Sequence, residues 1–179
     1  MRRKLIRWEL LGFLITVAAG MLLHFLYEWS CGSKSAAAFS AVNESTWEHM
    51  KLLFIPLFFF SLIQVIFLWK TYPNLPAVRG LSTLVGTALI PVLFYTYTGV
   101  WGKDAMWADI AVFVLSAAAA FLLDYALLRR GRLSSPFLQL LGVIILWGLL
   151  FAFIFFTFRP PHLAVFQDPV TLHYGIARP

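Results

Sequence analysis

The chain has 179 residues, 61% of them hydrophobic and only 12% charged, with 18 Phe and 7 Trp. A soluble domain carries about 25% charged residues and about 45–50% apolar ones, so this composition excludes an ordinary water-soluble domain. The net charge of +6 does not indicate a nucleic-acid partner, because the basic residues fall in short clusters between apolar runs and there set orientation in a bilayer. The single Cys31 excludes an intramolecular disulfide.

Five stretches reach the ~20 apolar residues that a helix needs to cross a hydrocarbon core: 8–29, 52–69, 81–101, 107–128 and 136–158. No convincing cleavage site follows the first, which is therefore expected to be retained as a helix. Trp and Tyr at the borders fit an interfacial belt. Helical spans are expected because lipid offers no partner to a free backbone N–H or C=O. Pro56 and Pro91 have apolar sequence on both sides and are expected to kink their helices rather than end them. The chain thus reads as an all-α integral membrane bundle of five transmembrane helices over 1–158, with a tail over 159–179.

Arg2, Arg3, Lys4, Arg7, Lys70, Arg79, Arg129, Arg130 and Arg132 fall on alternate segments; Lys34, Lys51, Lys103, Arg159 and Arg178 fall on the others. The positive-inside rule puts the N-terminus inside and the C-terminus outside. All four histidines and six of the eight acids then lie toward the outer side, leaving Glu9 and Asp124 toward the inner one.

In the first span, His24 and Glu28 are four residues apart and share a helical face. Gly12, Thr16 and Gly20 make a small-residue stripe suited to close helix packing. The first loop ends in Ser45-Thr46-Trp47-Glu48, a capping-box pattern in which Ser45 caps the second span and Glu48 reaches back to the free backbone N–H. Glu48 can also pair with Lys51, and Asn43, Glu44 and His49 are left without a structural role. In the third span, Tyr95 and Tyr97 are either belt residues or hydrogen-bond donors to a ligand. In the fourth, Ser116, Ala120 and Asp124 recur every four residues, and Asp124 is expected to pair with Arg79 or Arg129. Gln64 is the nearest other polar group at depth, so the middle of the bundle is expected to be dry, which argues against an ion-coupled transporter.

After Pro160 and Pro161 end the fifth span, Phe166, Val170, Leu172 and Ile176 suggest a tail folded over the outer mouth, carrying His162, Asp168 and His173 with it. His24, Glu28, His49, His162 and His173 offer ligands for a divalent metal such as zinc, with Glu44, Glu48 and His49 as candidate catalytic groups. The competing reading is a hydrogen-bonded network without metal. No His-x-x-x-His or His-Glu-x-x-His motif is present.

The segment Val42-Asn43-Glu44-Ser45-Thr46-Trp47-Glu48-His49-Met50-Lys51-Leu52, with His24, Glu28 and Trp29 and with the tail residues Gln167, Asp168, Pro169, Tyr174, Gly175 and Ile176, resembles the signature of a family of small bacterial multi-pass membrane proteins grouped as a domain of unknown function. The resemblance implies a bacterial plasma membrane, the topology and these residues, but no activity. A looser similarity is to intramembrane metal-dependent hydrolases of lipid amides, which have seven helices and a His-x-x-x-His pair. The functional expectation is a membrane enzyme, metal-dependent and acting on a lipid-like ligand. The alternatives are a non-catalytic membrane binding or assembly protein and a small-solute transporter. The bilayer is the expected partner, and oligomeric state is left open.

Overall fold

The computed structural model describes residues 2–176; Arg178, counted above with the outer basic residues, lies outside them. The elements are α1 (Arg2–Trp29), α2 (Lys34–Ala37), α3 (Thr46–Leu68), α4 (Leu75–Trp101), α5 (Met106–Arg129), α6 (Pro136–Phe158) and a single 3-10 turn (Ala164–Phe166). Five helices of 23–28 residues are long and apolar enough to span a bilayer, about 35–42 Å at 1.5 Å per residue. Pro56 and Pro91 both lie inside continuous helices.

α1, α3, α4 and α5 form a ring, each packed on the next, and α6 docks outside it against α4 and α3. The buried residues explain this order. On α1 they are Leu5, Glu9, Gly12, Thr16 and Gly20, one narrow stripe at helical spacing. A side chain on Gly12 would strike Phe60 and Phe121, and one on Gly20 would strike Phe113 and the Leu52 carbonyl, so this stripe packs within its own chain, on α3 and α5. On α6 only Gly142, Leu146, Phe153 and Thr157 are buried. Gly142 lets α6 touch the α4 backbone, because a Cβ there would lie 2.2 Å from the Pro76 carbonyl oxygen. The remaining faces carry exposed Leu, Ile, Val and Phe, the surface a bilayer covers.

The structure moves several boundaries. α4 starts at Leu75 with Pro76 in its first turn, a position where the missing N–H costs nothing. Arg79 is therefore not a loop residue; it is fully buried inside α4. α3 starts at Thr46, so Lys51 too is inside a helix and fully buried. The first loop contains the short α2, whose Ala37 carbonyl accepts a hydrogen bond from Lys51 Nζ at 2.9 Å.

Candidate functional site

Ser45 is the N-cap of α3: its Oγ accepts from the Glu48 N–H at 3.4 Å. The reciprocal half of the capping box is not made. The Ser45 N–H goes instead to Asn43 Oδ1 at 2.9 Å, and Glu48 accepts from the Val42 N–H at 3.3 Å. Glu48 is buried and bound to Lys51 Nζ at 2.5 Å, and Thr157 Oγ1 of α6 donates to it at 2.8 Å. Lys51 also donates to Thr157 Oγ1 at 2.7 Å. With the Ala37 carbonyl, all three ammonium protons then have acceptors. This network ties α2, α3 and α6 together, and the Glu48 carboxylate is used up in it.

Capping fixes the start of α3 and with it His49, one turn on. His49 Nδ1 lies 3.0 Å from the Ser45 carbonyl oxygen. A carbonyl can only accept, so Nδ1 donates and Nε2 is the ring nitrogen left for other partners. Nε2 faces Glu44, 3.6 Å away, and His24 Nε2 of α1 lies 3.7 Å from the other Glu44 oxygen. The two imidazoles stand 5.4 Å apart, and the three candidate ligand atoms lie within 4.8 Å of one another. N–H···O hydrogen bonds end near ~3.2 Å, so these three side chains are gathered without hydrogen-bonding one another. Donors at zinc's tetrahedral bond lengths stand about 3.3–3.4 Å apart, so the three side chains would have to draw in from their 4.8 Å spread to hold an ion.

The other predicted ligands lie elsewhere. Glu28 is exposed two turns from the ring's last buried stripe residue, Gly20. His162 is exposed and lies tilted against Tyr174 at 4.7 Å, and His173 is exposed with its carbonyl accepting from the Asp168 N–H. The tail itself does dock: Phe166 packs on Trp47 at 4.6 Å, and Asn43 Nδ2 donates to the Gly175 carbonyl at 2.9 Å.

Glu44 and His49 open on a cavity of about 120 Å³. Thr46, Asp104 and Asp109 supply its other polar lining, Ile90, Phe94, Val112 and Phe113 its apolar lining, and Pro169 and Val170 of the tail one wall. Tyr97 Oη donates to Asp109 and accepts from the Ala105 N–H at 3.3 Å; Thr46 Oγ1 donates to Tyr95 Oη at 3.3 Å. Asp104 and Asp109 at this cavity were missed by sequence reasoning. An acid in the first turn of a helix, as Asp109 is, reads as a dipole partner, and only the fold brings it opposite His49.

A second polar cluster lies toward the N-terminal end of the bundle. Asp124 pairs with Arg79, as its position in α5 suggested. Glu9 and Gln64 join them: Arg79 reaches Glu9 at 3.1 Å and Gln64 Oε1 at 2.7 Å, Gln64 Nε2 donates to Glu9 at 3.2 Å, and Ser82 Oγ donates to Asp124 at 2.7 Å. Each helix of the ring contributes, so the interior holds ionisable groups where Gln64 was expected to be the nearest polar one. Both Glu9 oxygens and Asp124 Oδ1 accept hydrogen bonds, and Asp124 Oδ2 faces Arg79 Nη1 as an ion pair. Arg79 also lies over the Phe121 ring at 4.8 Å, sealing the cluster with cation–π contact. The arrangement is a clamp in which one guanidinium holds two carboxylates.

No curated protein and no solved structure matches the chain. One family model does, and it runs over residues 1–176: the chain belongs to the family of unknown function DUF6512.

Proposed function

We propose that the protein is a metal-dependent membrane enzyme whose divalent ion, zinc by its donor chemistry, is held by His24, Glu44 and His49. The supporting observation is that His24 and His49 approach opposite oxygens of Glu44 at 3.7 and 3.6 Å, too long for hydrogen bonds, with one ligand atom from each residue inside a 4.8 Å group. Two histidines and one carboxylate leave a fourth position open, the pattern of catalytic rather than structural zinc. The Nδ1–H to Ser45 carbonyl bond is the outer contact that fixes a ligand imidazole's tautomer and orientation.

A bound ion of this kind lowers the pKa of its water or polarises a substrate oxygen. Around it, Asp104 and Asp109 are the groups placed to accept a proton, and Tyr97 orients Asp109. The cavity's 120 Å³ is small beside the ~300–1,000 Å³ of typical ligand pockets. It suits the polar junction of a lipid-like substrate whose chains stay in the bilayer. With Arg79 reassigned to the interior, Arg2, Arg3, Lys4, Arg7, Lys70, Arg129, Arg130 and Arg132 still mark the N-terminal end as cytoplasmic. The site then faces the outer leaflet of the plasma membrane, and the tail acts as its lid.

The small cavity also favours a second reading, a metal-binding protein without turnover. Metal analysis of protein purified without chelator tests the site: about one equivalent of ion in the native chain, lost in His49→Ala, is expected, and a chain that takes up no zinc, cobalt or manganese sinks both readings. Metal-dependent release of a water-soluble headgroup from mixed-lipid vesicles separates the enzyme from the binder.

A further inference from the structure

The helices α1 and α5 run antiparallel, and at their lipid-facing seam lies a groove of about 410 Å³. Its walls are apolar, with Leu10 and Phe13 from α1 and Phe121 and Leu122 from α5. Leu10 and Leu122 are more than half exposed, so the groove opens to the bilayer. Glu9 borders it, but both its carboxylate oxygens are already taken by Arg79 and Gln64. Tyr125 closes the groove toward the N-terminal end of the bundle.

Two cations meet at this tyrosine. Arg2 Nε donates to Tyr125 Oη at 3.1 Å, and the Arg129 guanidinium lies 5.8 Å from the Tyr125 ring centre. Among the described residues neither arginine has a carboxylate partner. Two guanidinium groups converging on one phenol repel each other, and an anion between them removes that cost. Arginine's planar fork suits phosphate oxygens, and the Tyr125 O–H is left to donate.

We propose that the α1–α5 groove binds one anionic phospholipid, its phosphate held by Arg2, Arg129 and Tyr125 and one acyl chain lying along Leu10, Phe13, Phe121 and Leu122. The cationic mouth and the apolar body match the two halves of such a lipid in the right order. Basic pockets between spans recognise anionic headgroups in this way. The mouth offers no acid to a choline or ethanolamine, so the preference is for a headgroup of net negative charge. The inference is independent of the metal site and needs only that the bundle sits in a bilayer.

The test is native mass spectrometry of the full chain with phosphatidylglycerol or phosphatidylcholine of identical acyl chains. One phosphatidylglycerol should be retained in preference to phosphatidylcholine. Arg2→Gln with Arg129→Gln should weaken retention about twenty-five-fold, about five-fold per arginine. Leu10→Trp, which fills the groove, should displace the lipid with both arginines intact. Equal retention of the two lipids, or retention unchanged in the double variant, overturns the proposal. So does a Leu10→Trp chain that loses a dimeric mass instead of a lipid, because a second copy would then be what covers the groove.

Discussion

His49 and Ser45 meet twice at one carbonyl: the Ser45 oxygen accepts from the His49 N–H at 3.2 Å and from its Nδ1 at 3.0 Å. The residue that caps α3 thereby also chooses the imidazole tautomer. If His24, Glu44 and His49 bind a divalent ion, His24→Ala, Glu44→Gln and His49→Ala should each cost more than the about 10–100-fold in affinity typical of losing an outer-shell partner. Glu28→Gln, His162→Ala and His173→Ala, which alter side chains outside the group, should leave affinity unchanged. Titration calorimetry with zinc decides it, and a loss in the second set equal to that in the first would disprove the three-ligand assignment.

Glu48 and Lys51 make a buried ion pair in α3, and breaking such a pair leaves one charge uncompensated. Glu48→Gln should therefore destabilise by about 3–5 kcal/mol, while Ser45→Ala, which removes only the cap, should cost about 1 kcal/mol. Glu48→Gln combined with Lys51→Met should recover part of the loss, because no charge then remains buried. Melting in detergent measures all four chains. A Glu48→Gln chain that melts normally but has lost activity would instead give Glu48 a chemical role.

The five spans were legible because an apolar run of bilayer length is a local property of sequence. So were the Ser45 cap, the Glu48–Lys51 pair and the small-residue stripe of α1, each set by a spacing of three or four. What periodicity does not carry is the partner. The stripe Gly12, Thr16, Gly20 extends backward by three to Glu9, which would have marked Glu9 as inward-facing, but nothing local says that it meets Arg79 from α4. Forward by four, the stripe reaches His24, whose neighbour proved to be Glu44 from the loop and not Glu28, because α1 outruns the ring at that end. Gly142 was passed over for the same reason: a lone glycine in an apolar run has no pattern until α4 lies against it.

Asp168 lies in the tail, outside the spans. Burial pushes its carboxyl up, but the N–H groups of Val170, Thr171 and Glu44 and the Thr171 side chain outweigh this and hold it below the ordinary 3.8. A depressed folded value means that tail docking gains stability that is fully present above the ordinary value and is lost as pH falls through the folded one. Proteolysis of the tail should stay slow down to about pH 4 and accelerate below it. Asp168→Asn should make the tail more readily cut at neutral pH and remove the acceleration. An equal pH profile in the two chains would show that Asp168 does not secure the tail.

Glu9 and Asp124 share one cation, Arg79, at the centre of the ring. Removing either acid still leaves a neutral one-to-one pair with hydrogen-bonding side chains around it. Removing both strands a guanidinium, and removing Arg79 strands two carboxylates. Glu9→Gln and Asp124→Asn should therefore each be mild, whereas the double variant should lose more than the sum of the two, and Arg79→Gln should be at least as damaging, about 3–5 kcal/mol. Residues in one network couple in this way, while independent sites add within about 0.5 kcal/mol. The measurement is unfolding of the native chain and the four variants in detergent at fixed pH and lipid. Simple additivity of Glu9→Gln and Asp124→Asn would mean that the two acids do not depend on a common guanidinium, and the clamp as described would not exist.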